Sequence, residues 1–230
     1  IISRMFNRRR VLCALMALIP ARKAFSGSSD LERFKLTGDN GQSIQNFRIP
    51  SELDPSTVPG LIWKGGKEAD VILYEFFDYN CSFCHQAAKE LNKILSADTG
   101  IRLGLINNPI LSLGSMQTAK VQQAVLRIYG PKAAYNFHLE LIGQRGQKDG
   151  TLALDAALAA GLNRDKIEET ADSTIISDVI TRQIKLAENL GMSMTPAFVL
   201  AGTGTLGWMG INSLKKMIMS TRKCDQVSCV

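Results

Sequence analysis

An apolar run from Val71 to Phe77, broken only by Glu75, leads into Cys81-Ser82-Phe83-Cys84, and a periodic apolar pattern follows. This order constrains the chain more than any other feature in it. The run has strand length and composition. Beyond it, Cys84, Ala87, Ala88, Leu91, Ile94 and Leu95 recur at helical spacing on one face. The stretch therefore reads as strand, turn, helix, with Cys81 at the first turn of the helix. There, unpaired backbone N–H groups and the positive end of the helix dipole favour a thiolate over a thiol.

A C-x-x-C pair serves as a redox dithiol, as half of a zinc site, or, when His follows, as a covalent haem attachment. Here His85 does follow, so a c-type haem protein is the reading from a different class. A cytochrome motif would be expected in helical surroundings, whereas this one follows a strand. Zinc is disfavoured because the chain has only two His and because Cys224 and Cys229 form a distant tail pair. The dithiol reading expects no metal and no cofactor. In it Cys81 is the exposed nucleophile and Cys84, one turn deeper, resolves the mixed disulfide. Ser82 and Phe83 tune the thiolate through backbone amides. His85 either stabilises it when protonated or is an exposed helix residue.

Glu75-Phe76-Phe77-Asp78-Tyr79 running into Cys81-Ser82-Phe83-Cys84, together with the remote Met194-Thr195-Pro196-Ala197-Phe198-Val199, resembles the thioredoxin superfamily and, within it, the DsbA-like disulfide oxidoreductases. The resemblance covers roughly residues 59 to 220. It implies an α/β thioredoxin fold, a mixed central sheet flanked by helices, with a cis-proline at Pro196 beside the redox pair. It also makes Thr195 and Pro196 substrate-contact residues. By the same resemblance Glu75 matches a buried carboxylate, whose raised pKa lets it take up and return the proton of Cys84. The alternative for Glu75 is a solvent-facing acid at a strand edge.

Along the chain, residues 1–26 read as a secretory signal: Arg8-Arg9-Arg10, an apolar stretch from Val11 to Pro20, then small residues at Ala24 and Ser26. Ten apolar residues are too few to span a bilayer. The segment carries six Lys and Arg and no acid, so removing it takes the formal charge from +6 to 0. Overall charge thus gives no support for a nucleic-acid partner. Residues 27–58 read as an extended lead-in, with room for the N-terminal arm through which some relatives form homo-oligomers.

The thioredoxin-like domain is expected over 59–114 and 191–222. Strands fall near Leu61-Ile62-Trp63, at 71–77 and at 101–106, and a hairpin follows Pro196, then a helix from Ile211 to Ser220. Between the two parts, residues 115–190 carry helical patterns at 119–129, 133–142, 152–160 and 165–190, an inserted helical subdomain. His138 within it is expected at the surface or hydrogen-bonded. Loss of Cys13 with the signal leaves four cysteines, so Cys224 and Cys229 in the tail 223–230 are expected to form a local disulfide.

These features together predict a periplasmic or otherwise extracytoplasmic thiol-disulfide oxidoreductase. It would donate the Cys81-Cys84 disulfide to exported proteins with cysteines, and the resemblance adds a membrane redox partner. An isomerase or reductase of the same fold is the alternative.

Overall fold

The structure, a computed structural model, describes residues 33–229. The expected signal segment and Cys13 lie outside the described residues. Six strands are present there: β1 (Asn46–Arg48), β2 (Ile62–Lys64), β3 (Val71–Phe77), β4 (Ile101–Asn107), β5 (Ala197–Leu200) and β6 (Thr203–Leu206). The helices are α1 (Ser82–Ala97), α2 (Leu113–Gly143), α3 (Gly150–Ala159), α4 (Arg164–Ala171), α5 (Thr174–Asn189) and α6 (Ile211–Cys224). They build a thioredoxin-like fold around one mixed sheet of order β1-β6-β5-β3-β4-β2.

β3 is central because it is buried on both faces. It pairs parallel with β4 through the α1 crossover and antiparallel with β5. Val71, Leu73 and Phe77 face the cluster built from α1, α2 and α6, whereas Tyr74 and Phe76 face a smaller one containing Ala187, Leu190 and Val199. α1 buries Cys84, Ala87, Ala88, Leu91, Ile94 and Leu95, the same six positions that its periodicity selects.

α2 to α5 lie between β4 and β5, which makes them the helical insertion of this fold. α2 is kinked at Gly130, whose φ of 80° and ψ of 179° lie outside the range open to other residues, and Pro131 follows. The single helix expected over 165–190 is two. Asp172 ends the first, and Ser173 caps the second by accepting a hydrogen bond from the Ile176 N–H.

The lead-in is more structured than its composition implies. β1 extends the sheet by pairing antiparallel with β6, Asn46 to Thr205. The buried Asn46 amide bonds the Phe34 and Ile44 carbonyls. Asp39 accepts from the Asn212 and Ser213 N–H groups at the start of α6. An acid at a helix N-terminus, with a three-residue edge strand, ties residues 33–48 to the hairpin and the last helix.

Candidate active site

β3 ends at Phe77, and the turn Asp78-Tyr79-Asn80 delivers Cys81 to the N-cap of α1 with extended backbone angles, φ −85° and ψ 118°. No side chain caps this helix start, so its first N–H groups are available to the sulfur. Cys81 and Cys84 are free thiols, 8% and 0% exposed, so Cys81 is buried in place of the exposed nucleophile that its position predicts. The Cys81 thiol donates to the main-chain oxygen of Thr195 at 3.1 Å, and the Thr195-Pro196 bond is cis. The remote dipeptide and the redox pair therefore meet across 114 residues of sequence.

The Cys81 thiol ionises at about 6, well below an ordinary thiol. The Cys84 thiol is the main cause, opposed by burial and aided by Thr195 and the backbone N–H groups of Cys84 and Phe83. Thr195 acts in two ways. Its carbonyl accepts from the protonated thiol, which favours the thiol. Its buried hydroxyl has no partner in this state and can turn to donate to a thiolate. Cys84 is pushed far the other way, by burial first, then by its bond to Cys81 and the Glu75 charge. One thiol is thus set to ionise near neutrality and the other to keep its proton.

Glu75 lies beneath the pair, 1% exposed on β3, and neither of its oxygens has a hydrogen-bond partner. Burial, with the Cys81 charge second, lifts its pKa to about 8. It is therefore a buried acid and not a solvent-facing edge residue.

Ser82, Phe83 and His85 are exposed; Phe83 keeps 59% of its surface open. Phe83 bears on Cys81 through its backbone. At the opposite end of the fold, Cys224 and Cys229 are joined by a disulfide across five residues of sequence.

Two features went unread in the sequence. His138 is not at the surface. It is buried against Phe77, Tyr79 and Tyr135 with Nδ1 unpartnered, and burial holds its pKa at about 3. Its neighbours come from β3, the following turn and its own helix, a combination that periodicity cannot show. The other is the set of bonds around Asn80 described below.

The thioredoxin family model matches residues 57–219. A thioredoxin-like oxidoreductase from Silicibacter pomeroyi DSS-3 is 30% identical, with 72% of this chain and 94% of that chain covered at a TM-score of 0.66. The thiol-disulfide exchange protein alpha-DsbA2 from Wolbachia pipientis is 21% identical, covering 70% of this chain and 87% of that one, TM-score 0.65. A periplasmic thioredoxin-like protein from Salmonella enterica serovar Typhimurium is 20% identical, covering 75% and 97%, TM-score 0.65. The last two likenesses bear on the fold alone. No curated protein matches the chain.

Proposed function

This chain belongs to the thioredoxin family, and we propose that it is an exported, DsbA-like thiol-disulfide oxidoreductase that donates the Cys81-Cys84 disulfide to folding proteins. One observation carries the thiol-disulfide exchange on which this reading rests. A thiol ionising at about 6 sits at a helix N-terminus, in contact with the Thr195 carbonyl and above a thiol that keeps its proton. An extracytoplasmic location is supported by the signal pattern over residues 1–26 and by the periplasmic Salmonella relative.

In the donating direction a client thiolate attacks Cys81 Sγ of the oxidised pair. The Sγ–Sγ bond breaks and the electron pair leaves on Cys84. That buried sulfur requires a proton, and Glu75, still protonated at neutral pH, is the donor. A second client thiolate then attacks the client sulfur of the mixed disulfide and expels Cys81 as a thiolate. Low basicity suits it to leave. The client dithiol is oxidised, the protein pair is reduced, and of the two protons the client thiols release, one restores Glu75 and one goes to solvent. Thr195 and Pro196 would line the client strand beside Cys81, and a membrane partner would reoxidise the pair.

An isomerase or reductase of the same fold is favoured by one feature: Cys81 ionises near 6, not at the roughly 3.5 of a strong disulfide donor. Covalent haem at Cys81 and Cys84 is disfavoured by burial, since Cys84 has no exposed surface. The test incubates oxidised protein with a reduced two-cysteine client and, beside it, reduced Cys84→Ser with the oxidised client, whose disulfide Cys81 can open but not release. Stoichiometric client oxidation and a client adduct mapped to Cys81 are expected. An oxidised protein that transfers nothing would refute donation.

A further inference from the structure

The residue before the nucleophile is bonded more densely than a turn requires. Asn80 Oδ1 accepts from the Lys148 N–H at 2.6 Å, and its Nδ2 donates to the Lys148 carbonyl at 2.9 Å. The same Nδ2 lies 3.1 Å from Ser115 Oγ and 3.2 Å from Ser112 Oγ. Its backbone N–H is held by Asp78 Oδ1 at 2.8 Å, and the other carboxylate oxygen of Asp78 takes the Leu111 N–H at 3.0 Å. One amide therefore joins three separate segments: the redox turn, the start of α2 and the connection from α2 to α3.

The close approach is built in from the far side as well. A Cβ on Gly114 would collide with the Lys148 carbonyl oxygen, so glycine there lets the connection lie against α2. Lys148 itself is 5% exposed, its ammonium 3.3 Å from the Gly146 carbonyl. A buried lysine in a loop is costly to hold, so the Lys148 backbone owes its position to the Asn80 amide and not to its own side chain.

We infer that Asn80 is the positioning residue through which the helical insertion holds the redox turn and presents Cys81 to the Thr195 loop. Cys81 has no side-chain cap. Its backbone is fixed on the C-terminal side by α1 and on the N-terminal side by this clamp. Its sulfur gains stabilisation only where it meets Cys84, Thr195 and the helix N–H groups together, a geometry that a small rotation of the turn would spoil. The insertion thereby acquires a part in the exchange reaction beyond packing on the sheet. This inference rests on Cys81 being the nucleophile.

The test measures iodoacetamide alkylation of Cys81 in the reduced full chain against pH, with mass mapping to resolve it from the other cysteines. The titratable groups whose interactions bear on Cys81 are Cys84 and Glu75, with Asp78 and Lys148 flanking the clamp; Asn80→Ala replaces none of them. It is expected to move the profile up by about one pH unit, so that reaction at about pH 6 slows about fivefold. Gly114→Ala, which displaces the Lys148 carbonyl from outside the redox turn, should shift the profile the same way by less, and it serves where Asn80→Ala does not fold. A merely structural role would lower the melting temperature and leave the profile in place. Unshifted profiles in the folded variants would overturn the clamp and leave Cys81 as nucleophile, whereas a wild-type Cys81 that does not alkylate would overturn both.

Discussion

Replacing Glu75 with Gln tests whether the acid beneath the redox pair is buried and uncompensated. The folded protein holds this carboxyl at about 8 against 4.5 for an ordinary glutamate, and neither oxygen is hydrogen-bonded. Between those values the native state keeps a proton that the unfolded chain has lost. The unfolded state therefore binds fewer protons, and stability falls as pH rises through that window. Each unit inside it costs about 1.4 kcal/mol. The interval from pH 5 to 8, only partly titrated at its ends, costs about 3.5 kcal/mol for a shift from 4.5 to about 8. Gln cannot ionise and does not bear this cost. Its own buried amide carries a penalty that does not depend on pH.

The assay is urea unfolding of reduced wild type and Glu75→Gln at several pH values, compared as a difference so that the titration of Cys81 largely cancels. Relative to wild type, the variant should gain about 3.5 kcal/mol between pH 5 and pH 8. Exchange through Cys84 should slow, because Gln supplies no proton. Parallel stability curves across that range would show that Glu75 is solvated or paired and would refute its assignment as the proton carrier.

Two further outcomes follow from the structure. Removing the Cys224–Cys229 disulfide by double Ala substitution frees a loop closed over five residues of sequence and should cost about 2 kcal/mol on the chain-entropy estimate, read by urea unfolding. Thiol reactivity at the distant Cys81 should not change. Gly130→Ala places a Cβ at φ 80°, ψ 179° with no neighbour to strike. Any loss, about 1 to 3 kcal/mol, would be backbone strain alone, and a melting temperature equal to wild type would contradict it.

The central strand and α1 are legible because each has a single environment. β3 is apolar except at Glu75 because both faces are covered, and α1 repeats on one face because only that face meets the sheet. β1 is not legible, since three residues at a sheet edge carry no period and their partner lies more than 150 positions away. The break between α4 and α5 contains neither Gly nor Pro. It is made by Ser173 accepting a backbone bond, as serine can do without a flanking signal. In the site, Cys81, Cys84 and the Thr195-Pro196 dipeptide stand out as local motifs. The Asn80 clamp spans 68 residues and joins a side chain to a backbone. Backbone partners leave no mark on residue type, so such a contact is invisible until the chain is folded.

The reduction potential of the Cys81/Cys84 pair, measured by glutathione equilibration with Cys224 and Cys229 substituted, tests the proposed direction most directly. Ionisation of Cys81 at about 6 in place of 9.0 stabilises the dithiol at pH 7 by about 1.4 kcal/mol, or about 30 mV toward oxidising. A donor of disulfides should lie on the oxidising side of about −200 mV. A value near about −270 mV would leave the pair reduced in the same buffer and contradict donation in favour of a reductase.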